Sequence, residues 1–300
     1  MKYAFIEAET GNHAVARLCR VMAASRSGYY GWRRQGQYGG ESRRAVDDRR
    51  LLGHIQEIHK KSRRAYGALK TWRVLALQGV AGGKHRIARL RRAHGIEAQR
   101  KRRFRNAVTH QLNQPPAENL LRRRFRVALA NRVWASDITY VPTRAGWLYL
   151  AVLLDLHSRR VVGWAMANRI TLELTQAALE MALEQRRPGP GLMHHSDQGS
   201  QYTAKDYRDR LEKLGITVSM SRKGNPYDNA VVESFFSNLK NELTHHRSFI
   251  DQSQARSEIF NYIEIFYNRQ RAHAALQYIS PVAYEERSNR AQLNCPPNPG

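Results

Sequence analysis

The hydrophobic periodicity of the chain changes character near residue 131. Upstream, apolar residues recur at helical spacing. Downstream come WASDITYV, WLYLAVLLD and RVVGWAM, three β-branched and aromatic runs joined by the brief connections PTRAG and LHSR. Runs of this length with connections this short pair as antiparallel neighbours. Then follow a helical stretch from Thr171 to about Glu184, a turn at RPGPG, the run LMHHS, a helix from about Thr203 to Leu214, the run ITVSM and a helix from about Asp228 to Leu243. Strand-helix-strand crossovers force the later strands parallel, so the pattern predicts an α/β fold with a mixed five-stranded sheet covered by helices.

Charge divides the chain at the same place. Residues 1–130 hold 30 Lys plus Arg against 8 Asp plus Glu, a net +22, whereas residues 131–300 carry only +3 of the total +25. A basic front joined to a nearly neutral back points to a part that grips a polyanion and a part that does something else. Within the front, Val15, Leu18, Cys19 and Met22 mark a helix and SRSGYYGW a second, a helical pair within residues 1–45. Leu51, Ile55 and Ile58 mark a third helix, Leu69, Trp72 and Leu75 a fourth, and Lys84 to His94 a fifth. The last two, joined through Gly79 to Gly83, read as a helix-turn-helix in an all-α basic unit over 46–105, with Arg89 and Arg92 projecting toward a groove or phosphates. Between 106 and 130 lies a basic linker. RKRRFR and LRRRFR bracket the turn-forming NQPP, and Arg102, Arg103, Arg123 and Arg124 are expected on DNA phosphates.

Other classes are excluded. The longest apolar run, Trp147 to Leu156, is too short for a membrane helix and carries Asp155. No export signal opens the chain, so the cytoplasm is the expected compartment. Cys19 and Cys295 form neither a disulfide framework nor a zinc site, and reduced thiols are expected.

Three carboxylates carry the chemistry. Asp137 interrupts a strand pattern between Trp134 and Tyr140, Asp197 follows the apolar run LMHHS, and Glu233 flanks the stripe Val232, Phe236, Leu239 and Leu243. If the first and fourth strands are neighbours, both aspartates reach one edge of the sheet. Three carboxylates within about 4 Å repel by roughly 4 kcal/mol per pair even at an effective dielectric of 20. Mg²⁺ suits such oxygen ligands, and two ions can activate a nucleophile and stabilise a leaving oxygen at a phosphodiester. Asp155 reads as the start of a turn, Asp228 as a helix cap, and His194 and His195 as support residues.

WASDITY, HHSDQGSQY and SRKGNPYDNAVVESFFSNLKNEL resemble the three signature blocks of DDE transposases and retroviral integrases. Thirty-five residues separate Asp197 from Glu233, and Lys240 follows seven residues later, both as in that superfamily. SRSGYYGW, YGALKTWRVLALQG and YNRQRAHAALQYISPVAY resemble the second-reading-frame product of insertion sequence family three transposases. The resemblance implies an RNase H-like catalytic core over 131–245, with a helical extension and tail over 246–300. It implies Asp137, Asp197 and Glu233 as catalytic ligands of two Mg²⁺ or Mn²⁺ ions, and Lys240 and Asn229 as contacts to DNA. It further implies cleavage and strand transfer at terminal inverted repeats and target DNA, a homo-oligomeric synaptic complex, and action at the bacterial nucleoid. The chain has no sustained heptads, so end recognition is expected to involve a first-frame segment. A non-catalytic DNA-binding regulator of the fused transposase is the alternative role.

Overall fold

The computed structural model describes residues 1–37, 42–99, 116–223 and 225–293. The first unit has three helices where periodicity marks two: α1 (Lys2–Ala8), α2 (Val15–Val21) and α3 (Arg26–Gln37), packed around Ile6, Leu18, Cys19 and Tyr29. α1 buries only Ile6, too little to leave a repeat in the sequence.

Helices α4 (Arg43–Lys61), α5 (Ala68–Leu77) and α6 (Lys84–Ala93) close around Leu51, Ile55, Ile58, Leu75, Ile87 and Leu90. The Ser42 hydroxyl caps α4 by accepting from the Ala45 N–H. The α5 stripe is shifted from expectation, because Thr71 and Leu75 are buried whereas Leu69 is exposed. α5 and α6 end alike: Gly79 and Gly95 take positive φ, and the next N–H, of Val80 or Ile96, returns to the carbonyl of Leu75 or Arg91. That left-handed position favours glycine, which has no Cβ to clash. α4 closes the same way, with Arg64 N–H on the His59 carbonyl, but Arg63 stands where glycine is expected, at φ 53°.

The sheet contains β1 (Val133–Thr143), β2 (Gly146–Asp155) and β3 (Val161–Ala167) as antiparallel neighbours, then β4 (Met193–Ser196) and β5 (Thr217–Met220), with β4 parallel to both β1 and β5. Its order, β3-β2-β1-β4-β5, is the RNase H-like arrangement. β1 runs on to Thr143, so the expected PTRAG connection shrinks to a two-residue turn before Gly146, whose φ of 110° only glycine adopts readily.

α7 (Leu172–Arg186) leads from β3 to β4. The helix expected over 203–214 is α9 (Lys205–Lys213), preceded by a short helix, α8 (Ser200–Thr203), from which extended Ala204 divides it. α7 and α9 cover one face of the sheet through Trp134, Ala151, Leu153, Leu179 and Leu211. The other face, with Ala135, Leu150, Val152 and Leu154, packs on α10 (Ala230–Glu242), α11 (Gln252–Phe260) and a π-helical stretch, Asn261–Tyr267. Burial on both faces explains why β2 reads as an unbroken apolar run rather than an alternating one. Each of its fully buried leucines contributes about 1.5–3 kcal/mol.

α12 (Pro281–Leu293) is pinned by Glu285, which accepts from Ser158, Arg160 and Arg186. Among the described residues no helix is long and apolar enough to cross a membrane.

Candidate active site

The last paired residues of the β1–β4 ladder are Ala135 and His195. Asp137 and Asp197 each lie two residues further along, so parallel pairing carries both to the same end of neighbouring strands. Asp137 Oδ1 accepts from the Ile138 N–H at 2.7 Å, and Asp197 Oδ1 from the Gly199 N–H at 2.9 Å, where the chain turns into α8. Residues 135, 137 and 141 point to the face that α10 covers. Glu233 sits in the first turn of α10, with its helix anchored by Val232, Phe235, Phe236 and Leu239.

Electrostatics tie the three together. Burial pushes the Asp137 carboxyl well above the usual carboxylate range, and the negative charge of Asp197 and then of Glu233 pushes it further. The Ile138 N–H and the Lys240 ammonium oppose that rise without cancelling it. Burial also raises Glu233. Lys240 is buried, its ammonium 5.0 Å from the Tyr140 ring centre; desolvation lowers its proton affinity and the Asp137 charge partly restores it. Such a site sets carboxylate charge against burial. Its hard carboxylate oxygens suit Mg²⁺ or Mn²⁺, although among the described residues no three acidic, histidine or cysteine side chains stand close enough to grip one ion together.

The neighbouring histidines are structural. His195 is buried, with Nδ1 2.9 Å from Ser219 Oγ and Nε2 3.1 Å from both Ser221 Oγ and the Asp228 carbonyl. A carbonyl only accepts, so Nε2 carries the proton and Nδ1 accepts from Ser219. Burial lowers the ring to about 4, keeping it neutral. Ser219 Oγ in turn accepts from the Leu120 and Leu121 N–H groups, which ties the linker to β5 and β4. His194 is equally buried, 3.1 Å from the Tyr207 hydroxyl.

Several expected DNA contacts have other work in this structure. Asn229 is buried, and its Nδ2 donates to the Ser136 carbonyl at 3.2 Å, holding the start of α10 against β1. Arg123 donates through Nε to Asp228 at 2.8 Å. Asp228 is therefore not a helix cap: it is buried, and also accepts from Arg222 and Asn119. Arg89 shares Asp48 with Arg86. Arg92 and Arg124 are exposed, as expected. Arg102 and Arg103 lie outside the described residues.

A groove of about 600 Å³ is lined among others by Asn119, Arg122, Arg123, Arg222 and Gln198, the residue after Asp197. Of the two basic residues there that the expected contacts omit, Arg122 belongs to the basic run LRRRFR and Arg222 lies outside any such run. Its signal, a lone arginine in SRKGNPYDN, is indistinguishable from any loop charge.

The guanidinium groups of Arg222 and Arg123 hold the Asp228 carboxyl far below the usual carboxylate range. A folded value depressed below an unfolded one of about 4 stabilises the fold above that pH, and the contribution fades as acid approaches the folded value. Asp228→Asn is thus expected to lower Tm at pH 7, with the gap to wild type narrowing steadily below about pH 4. Paired melting curves from pH 7 to 2 check this; a constant gap would mean that the charge is not responsible.

The geometry defines a class: an integrase-type sheet with carboxylates at its β1–β4 end, joined to a basic helical unit. The Integrase core domain family matches residues 128–226, a second Integrase core domain family matches 214–281, and an HTH-like domain family matches 46–104. The chain is 46% identical over 270 residues to the insertion element IS600 uncharacterized 31 kDa protein of Shigella sonnei, covering 90% of this chain and 98% of that one. It is 39% identical over 292 residues to transposase InsF for insertion sequence IS3A of Escherichia coli, covering 96% and 99%. A chain of a simian T-cell lymphotropic virus intasome superimposes with a TM-score of 0.46 at 17% identity, over 75% of this chain and 73% of that one. The chain belongs to the IS3 family of insertion-sequence transposases.

Proposed function

We propose that this chain catalyses metal-dependent cleavage of insertion-sequence DNA ends and transfer of the freed strand to new DNA. The observation that carries this is the matched placement of Asp137 and Asp197 past the β1–β4 ladder, with the Glu233 charge felt at Asp137. Asp137, Asp197 and Glu233 would hold two Mg²⁺ or Mn²⁺ ions, which when bound activate an attacking oxygen and stabilise a leaving one.

The protein's own groups bind and orient. Burial and the charges of Asp197 and Glu233 raise the proton affinity of Asp137, which would have to be ionised to hold a cation. Lys240 supplies a buried positive charge that faces developing negative charge on the substrate. Arg122 lines the groove along which a strand would run, beside Arg222, whose guanidinium is paired with Asp228. In the first step a water oxygen attacks phosphorus and the bond to the 3′ oxygen breaks, leaving a 3′ hydroxyl and a 5′ phosphate. In the second, that 3′ oxygen attacks another phosphodiester, one P–O bond forming as one breaks. Neither step needs a covalent protein intermediate or an energy source.

Two element ends must be held together, which calls for more than one copy of the chain in a synaptic complex at the bacterial nucleoid, with a first-frame segment aiding end recognition. A strand-transfer assay with Mg²⁺ and labelled element ends, with and without that segment, is the direct test. Joined product supports the proposal; intact DNA binding with no product in either format would replace it with a regulatory role.

The DNA contacts separate by salt dependence. Arg92→Ala and Arg124→Ala are each expected to flatten the slope of log affinity against log salt by about 1. Arg123→Ala should leave the slope nearly unchanged, because its guanidinium is held by Asp228. Anisotropy titrations across a salt series distinguish these outcomes; a slope insensitive to Arg92 would make α6 structural.

A further inference from the structure

We propose that residues 261–278 act as a bracket that fixes the reach from the helix-turn-helix unit to α10 and so determines which phosphodiester is cut. This rests on the function proposed above. Three contacts build the bracket on its helical-unit side. The Ala272 N–H donates to the Tyr66 hydroxyl at 2.7 Å, Ala272 itself lies in the core of α4–α6, and the Arg63 guanidinium lies 5.6 Å and 5.4 Å from the Tyr262 and Phe266 ring centres.

On the catalytic side the bracket grips α10. Arg271 donates through Nε and Nη2 to Glu242, at 2.9 and 2.8 Å, and the Tyr262 hydroxyl donates to Glu242 Oε2 at 2.8 Å. Both partners of the ion pair are buried. A fully satisfied buried pair selects one geometry over near alternatives, which is its best-attested role. Glu242 ends the helix whose first turn carries Glu233 and which also carries Lys240. A continuous chain of packed groups therefore runs from Tyr66 and Arg63 to Glu233.

Left-handed backbone also occurs on both walls of this contact. Gly79, Gly95 and Gly215 occupy the left-handed position where α5, α6 and α9 reverse, and Ala23 and Arg187 occupy it after α2 and α7. After α4 that position holds Arg63, followed by Arg64 in the same conformation. Gln277 and Tyr278, on the other wall of the dock, are also left-handed.

The test uses the full chain with end-labelled element DNA, comparing wild type with Tyr66→Phe, Arg63→Gly and Arg271→Lys. Arg63→Gly relaxes the α4 reversal while removing the ring contact, so loss of helix stability cannot explain its effect. Expected are unchanged DNA affinity, cuts spread over neighbouring phosphodiesters, and joined product reduced about 10²-fold by misplacement of the reacting ends. A slower reaction at the original phosphodiester, or no change, would overturn the bracket while leaving the proposed function standing. Hydrogen exchange supplies the arm that does not depend on activity: DNA should slow exchange in α10 of the wild type and not in the variants. That transmission without any cleavage would sink the transposase reading and with it the choice of phosphodiester; its absence from the wild type would overturn the bracket alone.

Discussion

Asp197→Asn is expected to abolish both cleavage and joining, at least about 10³-fold below wild type, while DNA affinity changes by no more than a few fold. Removing one ligand forfeits several kcal/mol of charge stabilisation at the reacting phosphate, and about 4 kcal/mol corresponds to three decades in rate. Asp197 is held at its carboxylate by the Gly199 N–H, and the amide keeps an oxygen for that bond, so the loop into α8 stays in place. A second signature accompanies the first. The Asp197 charge is one of the causes that raise Asp137, so its removal relieves repulsion. Without metal, the variant should melt no lower than wild type, and the rise in Tm on adding Mg²⁺ should shrink or vanish. Melting curves with and without Mg²⁺, run beside the strand-transfer assay, give both readouts. Residual strand transfer near the wild-type rate would remove Asp197 from the chemistry.

Gly163→Ala is expected to destabilise the core by about 3 kcal/mol or more, although the change adds a single methyl group. A Cβ at this position of β3 would stand 2.2 Å from the Ala178 carbonyl oxygen and 2.6 Å from Ala182 Cβ, both on α7. One of these is backbone, so no rotamer change relieves the collision; α7 would have to lift from the sheet and open the cluster of Leu153, Val162, Leu174 and Leu179. Gly31→Ala in α3 is the matched control, because nothing lies within 4 Å of its added methyl. There the substitution should be neutral or stabilising by up to about 1 kcal/mol through helix propensity. Denaturant midpoints for the two variants decide the matter, and equal midpoints would mean that β3 and α7 are less closely packed than their geometry requires.

The sheet was legible because its strands announce themselves locally. WLYLAVLLD is apolar on both faces, and the interruption of WASDITYV by Asp137 is visible without knowing the fold. The parts that stayed hidden depend on partners remote in sequence. Arg123 and Arg124 are neighbours of one composition, yet one meets a buried carboxylate 105 residues away and the other faces solvent. Asn229 carries the same amide whether it faces DNA or, as here, the Ser136 carbonyl of β1. The break between α8 and α9 falls at Ala204, a residue that favours helix, so no glycine or proline marks it. The π-helical stretch is masked for a different reason: Ile259, Tyr262, Ile263, Phe266 and Tyr267 recur at spacings an ordinary helix would also give.

The order of strands in the sheet also has a meaning in time. β1, β2 and β3 are consecutive in the chain and pair only with one another up to Ala167, so they can assemble during synthesis as soon as that residue is free of the ribosome. The free margin of β1, where β4 later pairs, stays uncovered while residues 168–192 are made. During that interval a nascent chain exposes the unpaired margin of Val133–Ala135, two residues short of Asp137, open to pairing with another chain. Arrival of β4 closes that margin and brings Asp197 beside Asp137, and only after α10 follows does Glu233 join them. The step that covers this exposed margin is thus the same step that begins to assemble the proposed active site.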